Sequence, residues 1–382
     1  MELIKNTLNI DFMGQRRIWF FISGSLVLLS LLSFIIKGFN YGVDFTGGTE
    51  IQVKVLTDKK INVGEIRDAL GTIKLAQSMV QEFGDTNPGN DFLIRLDNKA
   101  KTVDLSEKDI LLKIKTMLPS ARSFAFKAAD DAYITFAESQ DVSHIKEGIN
   151  SLSIQGFEVE TVTQFGKKAE NAYVIKFSGI AKKIAAALEE KFGKDKVEIL
   201  RVEEVGPKVG KELREKGLYA LFITFLLIMI YVAFRFDFKF APGAVLCLVH
   251  DTVITAGIFS LFQIEFTLTI VAALLTIIGY SINDTIVVYD RIRENMTKFK
   301  YKNLAEISNL SINQTLSRTI LTSLTVMFVT LVLFFFGGRM IRDFALAFTI
   351  GVVVGTYSSI YVASALTITI DNLKKRPVEQ QR

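Results

Sequence analysis

Cysteine is almost missing from this chain. Cys247 stands alone, so no disulfide can form within it. Any part that folds outside a membrane must hold together without staples, and the polar stretch 49–205, about 160 residues, is large enough to do so. Histidine is nearly as scarce. His144 has no Cys or His neighbour at metal-ligand spacing and reads as a solvent-facing residue opening a helix. A phosphate loop is lacking as well: Gly206-Pro-Lys-Val-Gly210-Lys211 has three residues between its glycines instead of four. Glu212 stands where a Ser or Thr belongs. No catalytic constellation stands out, so the chain reads as a non-enzyme with no cofactor and no metal.

What the chain has in abundance is long apolar runs. It is 49% hydrophobic with a mean hydropathy of +0.33, and the apolar residues are concentrated rather than spread. Six stretches, 18–36, 218–234, 240–262, 266–289, 319–336 and 344–370, are long enough to cross about 30 Å of hydrocarbon. The second and fifth are short and invite a further turn. The expected class is therefore a polytopic α-helical membrane protein of six spans.

Cations set its orientation. Lys5, Arg16, Arg17, Arg235, Lys239, Arg291, Arg293, Lys298, Lys300, Lys302, Lys374, Lys375, Arg376 and Arg382 flank one set of span ends. The opposite short loops offer Arg339 and Arg342. Both termini, 1–17 and 371–382, are thus expected in the cytoplasm, with 37–217 outside. The net charge of +5 is this inside bias, not a nucleic-acid footprint. The first span is too long for a signal-peptide core and no A-x-A-like site follows it, so it reads as an uncleaved anchor.

Within 37–217, strand and helix signals alternate twice in β-α-β-β-α-β order, over about 49–128 and 131–205. Val80-Gln-Glu-Phe-Gly84 aligns with Val162-Thr-Gln-Phe-Gly166, and Asn90–Leu96 with Asn171–Phe177. Val63 and Ile66 answer Val142 and Ile145. The expectation is an α+β external domain of two tandem ferredoxin-like units.

Two acids sit inside the apolar runs. Asp251 lies near the middle of the third and Asp284 near the cytoplasmic end of the fourth, about 10 Å from the midplane at about 1.5 Å per residue. A charge at such depth costs roughly 2.5–3.5 kcal/mol on insertion scales and marks ion or proton traffic. Arg318 precedes the fifth apolar run on the same side, and its long side chain spans the difference in depth. Asn283, Tyr280 and Thr276 continue a polar stripe at helical spacing. Each has a plainer reading: Arg318 as a snorkelling anchor, Asp284 as a helix–helix bond, Asp251 as an inert cap beside His250. Asp290, Arg291, Arg293 and Glu294 read as a solvated helix end. Gly351, Gly355, Ser358 and Ser359 read as small residues for close helix packing.

Gly42-Val-Asp44-Phe45-Thr-Gly47-Gly48-Thr49 joins the first span to the first external strand and by itself is a structural turn. Four further segments accompany it. They are Val205-Gly206-Pro207-Lys-Val-Gly210, His250-Asp251-Thr-Val, Gly279–Asn295 (with Asp290 and Arg291) and Ser317-Arg318-Thr-Ile-Leu-Thr-Ser-Leu324. Together they resemble the SecF subunits of bacterial SecD–SecF protein-export complexes, half-sized relatives of the RND transporters. The resemblance implies a location in the bacterial inner membrane and a SecD partner, with twelve spans sharing a pseudo-twofold. It implies that inward proton flow moves external domains that hold or pull an unfolded preprotein. That polypeptide arrives from the SecYEG channel and the SecA motor; YajC and YidC are further associates. In this reading Asp284 gains and loses a proton: pairing with Arg318 favours the carboxylate and separation within the apolar bundle favours the neutral acid. Asp251 lines the route. Sodium suits an aspartate with Asn and Ser neighbours as well as protons do. An RND-type exporter of lipid or small molecules, and a scaffold whose spans only anchor, are the alternatives. The family's usual external domain is a single ferredoxin-like unit, about half of what this chain carries.

Overall fold

The structure, a computed structural model, describes residues 9–73, 75–82, 90–96, 107–126, 131–152, 159–165, 171–177, 179–236, 238 and 240–379. Lys5, Lys239 and Arg382 of the orientation argument, and Gly84 and Gly166 of the repeat, lie outside them. The chain divides into two compact units, one of Met1–Gly42 with Leu213–Arg382, the other of Val43–Glu212.

Helix α1 (Arg16–Ile36) has an inside-out pattern. Its buried residues are Ser23, Ser30 and Ser33, while Phe21, Ile35 and Ile36 are about four-fifths exposed. That is the pattern of a helix in lipid, where small polar residues face neighbouring helices and large apolar ones face hydrocarbon.

After the short α2 (Val43–Thr46) the Val43–Glu212 unit begins with β1 (Gly48–Val55), α3 (Val63–Thr72), β2 (Met79–Glu82) and β3 (Asp91–Leu96). It continues with α4 (Glu107–Met117), β4 (Ala121–Phe126), β5 (Asp131–Phe136), α5 (Val142–Asn150), β6 (Val159–Phe165) and β7 (Ala172–Phe177). It closes with α6 (Ile180–Phe192) and β8 (Val197–Val205). Helix α3 starts where a sequence reader would place it: Asn62 Oδ1 accepts from Glu65 N–H at 3.0 Å and Glu65 Oε2 accepts from Asn62 N–H at 2.9 Å, a reciprocal cap. The side chain of Asn90, 3% exposed, ties down the preceding loop. It accepts from Ile61 N–H and donates to the Thr57 and Lys59 carbonyls.

Among the described residues two four-stranded antiparallel sheets result, in the orders β2-β3-β1-β8 and β4-β5-β7-β6. Here the expected division fails. The strand expected to close the first unit, β4, pairs with β5 of the second (Phe124↔Ile134). The strand expected to close the second, β8, pairs with β1 of the first (Ile51↔Val202). The helices follow their strands. Ile184 and Leu188 of α6 pack with Ile66 and Leu70 of α3 on Ile51, Val53 and Ile94. Ile110 and Ile114 of α4 join Ile145 and Ile149 of α5 on Ile134 and Ile175. The lobes are therefore nested, not tandem: 107–177 is inserted within a lobe built from 48–96 and 180–205. Each keeps a sheet and two helices consistent with a ferredoxin-like unit. The two helix–strand pairs have alike apolar patterns, and that pattern dictates which face is buried, not which edge is paired.

In the other unit, α7 (Pro207–Arg235), α8 (Ala241–Leu261), α9 (Leu268–Lys298), α10 (Leu304–Phe336) and α11 (Arg339–Ser358) follow. A π-helical turn, Ser359–Ala363, leads into α12 (Ser364–Glu379). With α1 they supply, among the described residues, six helices long and apolar enough to cross a membrane. The fourth and fifth outrun the expected spans because their ends pack together beyond the apolar runs. Asn295, 1% exposed, donates to Ser311 Oγ at 2.9 Å and Gln314 Oε1 at 2.8 Å, and Ile292, Ile307 and Ile312 share one core.

Directly opposed residues of an antiparallel pair are about 4.5–5.5 Å apart at Cα, within disulfide reach. Lys54 and Glu198 are such partners across β1 and β8. The K54C/E198C double variant is expected to form a disulfide on mild oxidation, read by thiol labelling; free thiols in the folded protein would argue for the tandem pairing.

Candidate functional site

The conformational demands of the glycine segment are concentrated at Gly47 and Gly48, with φ of 71° and 140°. A Cβ on Gly48 would stand 2.5 Å from the Leu96 carbonyl oxygen. Gly206-Pro207-Lys-Val-Gly210 meets this turn: a Cβ on Gly210 would lie 3.0 Å from both Gly47 N and Phe45 O. Phe45 is buried, Asp44 sits in the first turn of α2, and Pro207 is the first residue of α7, where its fixed φ suits a helix start. Gly206 has open space around it. Gly42 is closed in by the Glu265 and Thr267 side chains. These motif residues therefore build a joint, and no chemistry is placed on them.

Asp251 is 1% exposed and fully bonded. Its Oδ1 lies 2.8 Å from His250 Nδ1, and its Oδ2 accepts from Ser281 Oγ at 2.6 Å and Ser358 Oγ at 2.9 Å. Three helices, α8, α9 and α11, thus meet on one carboxylate. Gly355 makes room for this, since a Cβ there would sit 3.2 Å from Ser281. Gly351 does the same one turn away, against Ile277. The packing role expected of these glycines holds. Ser358 does more than pack, for it bonds the acid.

Asp284 lies three residues beyond Ser281 on α9, on the same face, and is 3% exposed. Among the described residues its Oδ2 has no hydrogen-bond partner; nor have the buried hydroxyls of Thr285 beside it and Thr319 on α10. Arg318 is within electrostatic reach of Asp284 but stands on an exposed face of α10, and no ion pair joins the two among the described residues. The pair is near, and not closed.

The expected polar stripe divides. Tyr280 turns inward and its hydroxyl donates to Ser323 Oγ at 3.4 Å, which also accepts from Thr356 Oγ1 at 2.8 Å. Thr276 and Asn283 are exposed, away from Asp284; the Thr276 hydroxyl is spent on the Ala272 carbonyl of its own helix. The 100° step of a helix puts Asn283 and Asp284, adjacent in sequence, on different faces. Asp290 is exposed, 4.0 Å from Arg235, as a solvated end requires. Arg291 departs from that reading, because its Nε donates to Gln314 Oε1 at 2.6 Å and so ties α9 to α10.

Sequence reasoning did not find Tyr357, Ser281, Ser358 or Asn295 as functional partners. Their hydroxyls and amides look ordinary in isolation; of the four, Ser281 alone offered a signal, as a polar residue one helical turn from the intramembrane acid Asp284.

Two family models match. One, "Protein export membrane protein SecD/SecF, C-terminal", covers residues 184–373, and the other, "SecD/SecF GG Motif", covers 32–55. The chain belongs to the SecD/SecF family. Among its relatives, the protein translocase subunit SecF of Calditerrivibrio nitroreducens is 39% identical over 98% of this chain and 99% of its own length. That of Magnetococcus marinus is 37% identical over 99% and 97%. The crystal structure of SecDF from Thermus thermophilus, described as a translocon-associated membrane protein, matches with a TM-score of 0.63 and 33% identity. It is matched over 97% of this chain, which spans 40% of the length of that one. The match runs nearly end to end, so these SecF relatives also carry a region matching 37–217.

Gly48→Ala must move the Leu96 carbonyl and force a left-handed φ on a residue with a Cβ, a strain of about 1–3 kcal/mol. Faster cleavage of the Val43–Glu212 unit by protease in membranes is expected; wild-type resistance would refute the joint.

Proposed function

We propose that the chain, paired with SecD in the bacterial cytoplasmic membrane with both termini inside, uses the proton gradient to assist late export of preproteins delivered by SecYEG and SecA. No covalent chemistry and no cofactor enter this reading. The observation that carries it is Asp284: a carboxyl group buried in a membrane-spanning helix, with one oxygen unpartnered among the described residues and Arg318 within electrostatic reach but not ion-paired with it among them. A carboxylate in hydrocarbon demands partners and a neutral acid demands far fewer. Movement of Arg318 toward or away from Asp284 therefore changes which form is stable, and protonation changes how tightly α9 and α10 are held. Asp251 continues the polar route toward the middle of the bundle.

The exposed face of α9 supports the pairing with a second membrane subunit. Ala272, Thr276, Gly279 and Asn283 line it, whereas α1 and α7 turn Phe21, Phe222 and Phe234 outward. Small and polar residues gain little from lipid and let another helix approach closely. YajC and YidC are further associates in this reading.

Asp284→Asn keeps the shape and removes the titration. In inverted membrane vesicles export is expected to fall by about tenfold or more, equivalent to about 1.4 kcal/mol or more added to the rate-limiting barrier, with the SecD complex assembled normally. Collapsing the proton gradient should reproduce the loss and collapsing a sodium gradient should not. Undiminished export by an assembled D284N complex would leave a scaffold.

A further inference from the structure

The Asp251 cluster is more than a clamp between helices. From α11 the Tyr357 hydroxyl lies 3.0 Å from His250 Nε2; across the ring, Nδ1 lies 2.8 Å from Asp251 Oδ1; from Oδ2 the chain passes to Ser281 Oγ at 2.6 Å. His250 is 7% exposed. Ser281 is three residues, about 4.5 Å along the helix axis, from Asp284. An unbroken row of exchangeable protons thus runs from α11 through α8 to α9 and ends one turn from the acid on which the coupling reading rests.

A static helix contact does not need such groups. Hydroxyls and amides bond across spans without an ionisable pair, and replacing a buried ion pair by uncharged groups is often neutral or stabilising. Histidine is the side chain whose ordinary titration falls near neutral pH, and each of its nitrogens here has a partner. We infer that His250 and Asp251 form a second proton-carrying pair, with His250 the positioning residue that loads and unloads Asp251; this rests on the coupling reading of Asp284. When the imidazole is doubly protonated, Nδ1–H donates to Oδ1. Transfer breaks that N–H bond and makes an O–H bond, turning imidazolium and carboxylate into imidazole and carboxylic acid. The imidazole keeps the proton on Nε2, which had come from the Tyr357 hydroxyl as that hydroxyl took one from the proton-loaded side. Once Asp251 has released its own proton, a half-turn of the neutral ring presents N–H to Oδ1 and a bare nitrogen to Tyr357 again. The neutral acid holds Ser281 and Ser358 less tightly than the carboxylate, so the grip of α8 on α9 and α11 follows the proton.

The groups facing His250 are few. Its own helix brings Asp251 and Cys247, whose thiol donates to Ser358 Oγ at 3.2 Å. Tyr357 comes from α11, Trp19 of α1 packs on the far side of Tyr357 without charge, and α9 adds Ser281 with Asp284 beyond it.

The test measures export in inverted vesicles across pH 5.5–8.5 under an imposed proton gradient, with the full complex and variants matched for membrane level. His250→Gln retains hydrogen bonding and cannot titrate there. It is expected to slow export about fivefold near pH 7 and to flatten the pH profile. A wild-type rate and profile, or a uniform loss at all pH values with the profile unchanged, overturns the inference in favour of a clamp. Should H250Q fail to reach the membrane, Tyr357→Phe, which removes one hydroxyl, carries the same expectation and the same refutation. D284N, measured alongside, separates the two levels. Unimpaired D284N overturns the coupling reading itself, while impaired D284N with an unaltered H250Q profile overturns only the second pair.

Discussion

A carboxylate enclosed by hydrocarbon must be bonded or must take up a proton, and the helix-rich unit of this protein is arranged around that constraint. Asp251 satisfies it by bonding: one histidine and two serines from three helices converge on its oxygens. Asp284 meets it less fully, since one of its oxygens is buried and has no hydrogen-bond partner among the described residues. The two acids therefore answer the same constraint with different numbers of partners. The glycines of α11 follow from the same constraint. Without Gly351 and Gly355 the backbone of that helix would stand too far off for Ser358 to reach the acid.

Much of this was legible in the chain itself. Six spans, both intramembrane acids and the glycine turn follow from hydropathy, depth and residue type, because the cost of a charge in lipid is large enough to dominate any local preference. Partners were less legible. Ser358 carries no signal beyond being small and Ser281 only its place one turn from Asp284; the packing of α9 and α11 against α8 makes them ligands of a carboxylate. Asn283 misled for a related reason: adjacency in sequence is divergence on a helix. The extension of α10 back to Leu304 was hidden because its buried stripe is partly polar, with Ser308 and Ser311 inside.

The two sheets show the limit in another form. Period-two alternation tells β1 and β8 which side chains to bury, and the capping box at Asn62 tells α3 where to begin. Neither says which strand lies beside which. Two helix–strand pairs of similar composition were interchangeable on paper, and the pairing was decided by edges that only the folded chain brings together.

That nesting has an evolutionary corollary. A lobe spliced into a connection of another lobe enters and leaves through one place, so a single excision between β3 and α6 removes it whole and leaves the host sheet, including the β1–β8 seam next to the glycine joint, intact. Two lobes sharing strands end to end would offer no such cut. The inner lobe is in this sense a cartridge: lineages are free to acquire, discard or reshape it while the part of the chain that answers to the membrane stays as it was.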